Sequence, residues 1–277
     1  MRPKQWYKNL VIFIGIAFSL NLLNFNLWIT VIAAFVIFCL LSGSIYLIND
    51  VLDIEKDKKH PKKRERPIPS GALKPSHALV SAVVFIIISS IGSYFINMPF
   101  LITAISFFVL IMVYSLILKH YIIVDILVIS TGFVIRAIAG AVAINVFVSP
   151  WLIICAFLLA LFLALGKRRH ELVLLGENAG EHRQSLEGYS HQILDQMTMI
   201  TTSTLIMSYS LYTFFTGKIA MMLTIPFAFY GIFRYLLLIH SKNMGGEPEM
   251  LFKDRGMLIS IILWVLIVIG VLYFKLT

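Results

Sequence analysis

Charge is scarce in this chain. Only 13% of its 277 residues are Asp, Glu, Lys or Arg, against about a quarter in a soluble domain. So little charge cannot clothe a water-facing surface, which excludes an ordinary soluble globular protein and makes lipid the natural solvent. Cysteine is nearly absent: Cys39 and Cys155 both sit in apolar runs, neither at metal-ligand spacing, and read as core packing. The first apolar run follows Arg2, Lys4 and Lys8 but lacks a small-residue cleavage site. It reads as a retained first span with Trp6 and Tyr7 at the interface, not as a removed leader. There is no low-complexity linker and no soluble insert, so residues 1–277 are expected to be a single transmembrane domain.

Hydrophobic residues are what the chain has instead, at 59%. A span needs about 20 apolar residues. Residues 9–49 and 75–118 contain no Asp, Glu, Lys or Arg, and each is long enough for two spans, broken at Asn21–Asn26 and near Asn97–Pro99. Residues 121–166 form another pair broken at Ser149–Pro150; 192–217 and 219–240 a third around Gly217–Lys218; 256–275 a last span. The expected fold is an all-α integral membrane bundle of nine helices.

With the N-terminus inside, only Lys218 and Lys275 of the 23 Lys and Arg fall outside. That asymmetry predicts an N-in, C-out orientation in the cytoplasmic membrane. It also accounts for the net charge of +9 without a nucleic-acid partner. The carboxylates gather on the inner side too. Topology does not require this, so either a reaction centre lies there or the only sizeable loops do. The long inner loops, 50–75 and 167–191, both follow an even-numbered span and suggest a weak internal repeat.

The first of these loops is the richest. Asp50, Asp53 and Asp57 are spaced i, i+3, i+7 and form one stripe on a helix. Three like charges on one face need something positive against them. Mg²⁺ suits: it takes oxygen ligands and is commonly shared between one or two carboxylates and substrate phosphates. Lys58 to Arg66 follows, a run able to clamp phosphate, Arg as a fork and Lys as a point charge. A charged helix end with a positive-inside stop signal would explain the cations but not the stripe. His60, next to Pro61, reads as a loop residue.

The run Asn49-Asp50-x-x-Asp53-x-x-x-Asp57 at the inner end of the second span resembles the signature of the UbiA superfamily of intramembrane prenyltransferases. The resemblance implies a nine-helix UbiA-type bundle and a Mg²⁺-bound donor diphosphate held by Asn49, Asp50, Asp53 and Asp57, the three Asp being catalytic. Three further stretches resemble one branch, the decaprenyl-phosphate phosphoribosyltransferases: 2–9, ending in Lys8 and Asn9; 60–68, with Lys63, Arg64 and Arg66; and Gly166-Lys167-Arg168. That branch implies transfer of 5-phosphoribose from phosphoribosyl diphosphate to a polyprenyl phosphate, with these residues binding substrate. Arg183 and Tyr189 match part of the branch pattern Arg-x-x-Leu-x-x-Tyr and are expected at the same site.

The second loop departs from the superfamily. Its usual second Asp-rich motif is missing; Lys167, Arg168, Arg169, His170 and Glu171 stand there instead. More cations and fewer carboxylates suit a donor with an extra phosphate, as phosphoribosyl diphosphate has. The same cations also fit a positive-inside patch. Within the fifth span, Arg136 lies about 16 Å along the helix from Asp125, with Gly132 and Gly140 at i±4. A central Arg costs about 2.5–3.5 kcal/mol to insert, so it is expected either to bind an anion in a cavity or to pair with an Asp. The glycines permit close helix packing or ligand approach. Two other functions remain open: a prenyltransferase joining an isoprenoid diphosphate to an aromatic or polar acceptor, and a transporter. Transporters usually place their charges at the midplane, whereas here they gather at one face.

Overall fold

A computed structural model describes residues 2–59, 63–175, 184–242 and 254–274. No strand occurs among the described residues. The chain divides into two compact units: Met1–Leu116 with Ile135–Phe147, and Ile117–Val134 with Val148–Thr277.

In the first unit a 3₁₀ helix, Pro3–Phe13, runs into α1 (Ile14–Phe18). The Asn-rich break follows, then α2 (Phe25–Leu52), α3 (Ile54–Lys59), α4 (Pro75–Ile96) and α5 (Met98–Leu116). Helix α6 (Val124–Ala143) contributes its part from Ile135 onward. Pro75 opens α4 at its first turn, where its missing N–H costs nothing. Asn97 ends it in extended backbone. The Asn97 Oδ1 accepts from Phe100 N at 2.7 Å, and its Nδ2 donates to Val142 O at 3.0 Å. One amide thus serves the start of α5 and the end of α6, where lipid offers no partners. The core joins Ile12, Ile16, Phe38, Phe100, Phe107 and Ala139. Gly140 is required here: a Cβ would fall 1.8 Å from Ile12 O. The bare helix face expected around Arg136 is therefore used, at Gly140, for backbone packing.

The second unit contains α7 (Pro150–Leu175), α8 (His191–Phe215), α9 (Ile225–Lys242) and α10 (Arg255–Tyr273). Side-chain caps start two of them: Ser190 accepts from Ile193 N at 3.2 Å, and Asp254 from Met257 N at 2.9 Å. Gly217 turns the chain at φ +72° before a 3₁₀ turn, Ile219–Thr224, leads into α9. One core patch holds Ile126, Leu165, Leu186, Tyr189 and Leu194; another joins Phe162, Tyr235, Ile239 and Met257.

Among the described residues seven helices are long and apolar enough to cross a membrane: α2, α4, α5, α6, α7, Ile219–Ser241 and α10. Two of the nine expected spans fall outside this set. The first is split between 3₁₀ and α turns. The other, α8, carries a series of Ser and Thr residues that lower its hydropathy. Large apolar side chains such as Phe25, Phe95 and Phe147 lie on the surface, 82%, 79% and 84% exposed. Water would not tolerate this, but lipid does.

Candidate active site

In the first unit the carboxylate stripe forms where α2 gives way to α3. Asp50 lies in the last turn of α2, Asp53 caps it, and Asp57 is on α3. The helix breaks at Asp53, yet Asp53 N still reaches Asn49 O and Asp57 N reaches Asp53 O, so the turns stay in register. Asp50 and Asp57 are buried, at 7% and 3% exposure. Arg66 lies against both: its Nη1 donates to Asp57 Oδ2 at 2.5 Å and to Asp50 Oδ1 at 3.1 Å. Arg2 donates to the same Asp50 oxygen and lies over the Tyr46 ring at 5.0 Å. The positive partner that the stripe requires is thus found within the chain. Arg66, expected on phosphate, is here a carboxylate partner. Asn49 donates to Ser115 Oγ at 3.0 Å. Arg64 is exposed, and the Lys63 side chain lies outside the described residues.

Deeper in the same unit, Asn9 is 1% exposed and makes two contacts. Its Nδ2 donates to Cys39 Sγ at 3.3 Å, and its Oδ1 accepts from Arg136 Nε at 2.8 Å. The Arg136 guanidinium also sits 4.5 Å from the Phe107 ring centre, a cation–π contact in a desolvated place. An amide and a ring face thus meet Arg136. Lys8 is half-buried, near the Tyr7 ring.

The donor set of the stripe fits a hard divalent cation. Asn49, Asp50, Asp53 and Asp57 offer only oxygens for ligation, and Asp50 and Asp57 face one common positive charge. Among the described residues no three His, Cys, Asp or Glu side chains form a cage on their own. A cation held here would take its remaining ligands from water and phosphate, as Mg²⁺ commonly does.

The second unit holds a separate network centred on Asp125, which is 0% exposed in the first turn of α6. Arg168 Nε donates to its Oδ2 at 2.8 Å, Ser185 Oγ to the same oxygen at 3.3 Å, and Tyr189 OH to Oδ1 at 3.3 Å. The Tyr189 hydroxyl accepts in turn from Ile123 N at 2.8 Å. Burial, and then the Asp125 charge, push the Tyr189 pKa up to about 12. Arg168 Nη1 also holds Glu171 Oε2 at 2.5 Å. Lys167 and Arg168, expected to hold phosphate together, and the next residue, Arg169, point three ways. Lys167 is exposed, Arg168 is 2% exposed on Asp125, and Arg169 pairs with Asp195 at 2.6 Å. Turning about 100° per residue accounts for the split. Arg168, expected as a phosphate ligand, is here buried between Asp125 and Glu171. Arg183 lies outside the described residues.

The model of the UbiA prenyltransferase family matches residues 10–262. The chain belongs to that family. It is thereby a transferase and, with seven apolar helices among the described residues, a multi-pass membrane protein. Curated relatives named decaprenyl-phosphate phosphoribosyltransferase match nearly end to end. The one from Mycolicibacterium smegmatis is 31% identical over 294 residues, covering 99% of this chain and 92% of the relative. The one from Corynebacterium glutamicum is 32% identical over 290 residues, covering 99% and 85%. A UbiA homologue from Archaeoglobus fulgidus, solved bound to GPP and Mg²⁺, superposes with a TM-score of 0.74 over 99% of this chain and 97% of that one. At 15% identity this establishes a shared UbiA fold.

Asp125, Ser185 and Arg2 were not among the site residues expected from sequence. Asp125 carried one readable signal, a lone carboxylate at the edge of an apolar run, where an ionisable group needs a partner.

Proposed function

We propose that this UbiA-family transferase moves 5-phosphoribose from phosphoribosyl diphosphate to a polyprenyl phosphate and releases diphosphate, in a Mg²⁺-dependent reaction. One observation carries the reading: relatives bearing that name match 99% of the chain. The buried Asp50 and Asp57, facing one cation, support the diphosphate end of it.

In this mechanism Asn49, Asp50, Asp53 and Asp57 hold Mg²⁺, which when bound neutralises the charge that builds on the departing diphosphate. Lys63, Arg64 and Lys167 bind phosphate oxygens, as does Arg66 where substrate competes for its guanidinium. Asn9 orients Arg136, and Lys8 lies one residue from that pair. Arg168 and Tyr189 fix the ends of α6 and α7 through Asp125, and Arg183 remains a candidate substrate ligand from its motif. The bond from ribose C1 to the diphosphate oxygen breaks as C1 gains oxocarbenium character. A phosphate oxygen of the polyprenyl phosphate then forms the new bond to C1. That oxygen is already anionic, so no strong general base is needed. The chain acts as a single domain of nine spans, N-in and C-out in the cytoplasmic membrane, with the carboxylates toward the cytoplasm.

A second reading is prenyl transfer from an isoprenoid diphosphate, favoured by the likeness to a homologue bound to GPP. The test is to incubate the purified protein with Mg²⁺, labelled phosphoribosyl diphosphate and mixed polyprenyl phosphates. The expected result is label in the lipid phase that disappears with EDTA or in Asp53→Ala. Consumption of an isoprenoid diphosphate with no label in lipid would replace the first reading by the second.

A further inference from the structure

A groove of about 730 Å³ runs along the surface of the second unit between α8 and α9. Its floor and walls are set by Met199, Ile206, Met207, Phe229, Phe233 and Leu236. The hydroxyls that also line it are spent within α8: Thr198 donates to Leu194 O at 2.7 Å, Thr202 to Thr198 O at 2.7 Å, Ser203 to Met199 O at 3.0 Å and Ser210 to Ile206 O at 2.9 Å. A hydrocarbon chain can therefore lie here without stranding a polar group. The two methionines let the wall adapt to it.

One end of the groove is charged. Asp195 and His240 line it, and Arg169 reaches it from α7. Arg169 Nε at 2.6 Å and His240 Nε2 at 3.4 Å both approach Asp195 Oδ1. Among the described residues Asp195 Oδ2 has no partner, nor do the Arg169 Nη groups, while the Asp195 side chain is 39% exposed. The mouth thus offers one anionic acceptor beside cationic donors. From Asp195 to Ser210, fifteen residues of helix span about 22 Å. Half of a bilayer with its headgroups is about 20–22 Å. The groove has the length of one leaflet, headgroup included.

We propose that this groove holds one phospholipid of the surrounding leaflet whose headgroup is a phosphate carrying a primary amine. The ammonium pairs with Asp195 Oδ2, the phosphate takes the Arg169 Nη groups, and one acyl chain follows α8 to Ser210. An anionic headgroup without an amine would set its charge against Asp195, which is the basis of selectivity. The site uses none of the residues of the carboxylate stripe and does not depend on the reaction proposed above.

The experiment is to reconstitute the full chain in vesicles of equal phosphatidylethanolamine, phosphatidylglycerol and phosphatidylcholine, then extract it into detergent and quantify the retained lipid by mass spectrometry. Phosphatidylethanolamine is expected to be enriched several-fold over its share. Asp195→Asn should abolish the enrichment, as should Ser203→Trp, which fills the groove from an exposed position and leaves the charged mouth intact. Retention of all three lipids in the supplied ratio would overturn the proposal, as would enrichment unchanged in both variants. Displacement of the phosphatidylethanolamine by an added polyprenyl phosphate, with retention of that polyprenyl phosphate lost in Ser203→Trp, would also overturn it, by making the groove a seat for substrate.

Discussion

Arg66 donates to Asp57 across 2.5 Å, bringing the far side of the first charged loop back onto α3. The same nitrogen reaches Asp50, so one guanidinium is shared by two buried carboxylates. Replacing it by Arg66→Met leaves Asp57 without this partner. Breaking a buried pair from one side costs about 3–5 kcal/mol; Asp50 keeps Arg2, so about 3 kcal/mol is expected here. Thermal melting in detergent would show the loss. Millimolar Mg²⁺ should restore more stability to the variant than to the parent, because a divalent ion supplies the missing charge. Equal gains would argue that the two oxygens do not share a cation site.

Asp50→Asn and Asp57→Asn keep the shape of the stripe and remove its charge. Each is expected to lower phosphoribosyl transfer by at least about 100-fold, or about 2.7 kcal/mol in the barrier, with the greater loss at low Mg²⁺. Labelled-lipid formation across a Mg²⁺ titration is the measurement. A variant that regains full rate at high Mg²⁺ would mark its Asp as an aid to metal affinity and not to the chemical step.

The stripe was legible because it is local: residues three and four apart on a helix share a face whatever the tertiary fold does. Its cations were not, since Arg66 lies 16 residues from Asp50 and Arg2 lies 48 residues away. The same limit hid Arg168 on Asp125, 43 residues apart, and Arg136 on Asn9, 127 residues apart. Side-chain pairing over such separations is decided by packing that composition does not encode. The helix breaks at Asn97, Pro150 and Gly217 were readable because each residue interrupts a helix for its own reason. The scattering of Lys167, Arg168 and Arg169 could also have been read, since consecutive helical residues never share a face.

Gly140 carries a sharp steric prediction. In Gly140→Ala the new methyl would meet Ile12 O at 1.8 Å, and a backbone carbonyl in a packed core has nowhere to go. The 3₁₀ segment must shift, carrying Asn9 away from Arg136 one turn below. A loss of about 3 kcal/mol is expected, together with weakened transfer. Gly270→Ala is the control, since nothing lies within 4 Å of its added Cβ; it should melt like the parent.

The Asp125–Arg168 pair is buried on both sides, at 0% and 2% exposure. Arg168→Met takes the guanidinium from buried Asp125 and should cost about 3–5 kcal/mol; Asp125→Asn, in which Arg168 keeps Glu171, should cost less. The double variant Asp125→Asn with Arg168→Met removes both charges and should cost clearly less than the sum, a coupling of about 1–3 kcal/mol. Denaturant melts of the four proteins complete the cycle. Strict additivity would show that Asp125 is held mainly by Ser185 and Tyr189.

Tyr189 gives the network a pH signature. Burial, then the Asp125 charge, raise its pKa from 10 to about 12. The native state therefore keeps the phenolic proton over a range in which the unfolded chain loses it. Linkage gives the sign: the stabilisation is fully present below pH 10 and drains away as pH climbs from 10 toward 12. Tyr189→Phe removes both the titration and the hydroxyl that joins Ile123 N to Asp125, at a cost of about 1 kcal/mol near neutral pH. The stability gap between parent and variant should stay constant up to about pH 10 and narrow above it. Denaturant melts at pH 8, 10 and 11.5 test this directly. A gap that held constant through pH 11.5 would mean that the phenol ionises alike in both states and does not donate to Asp125.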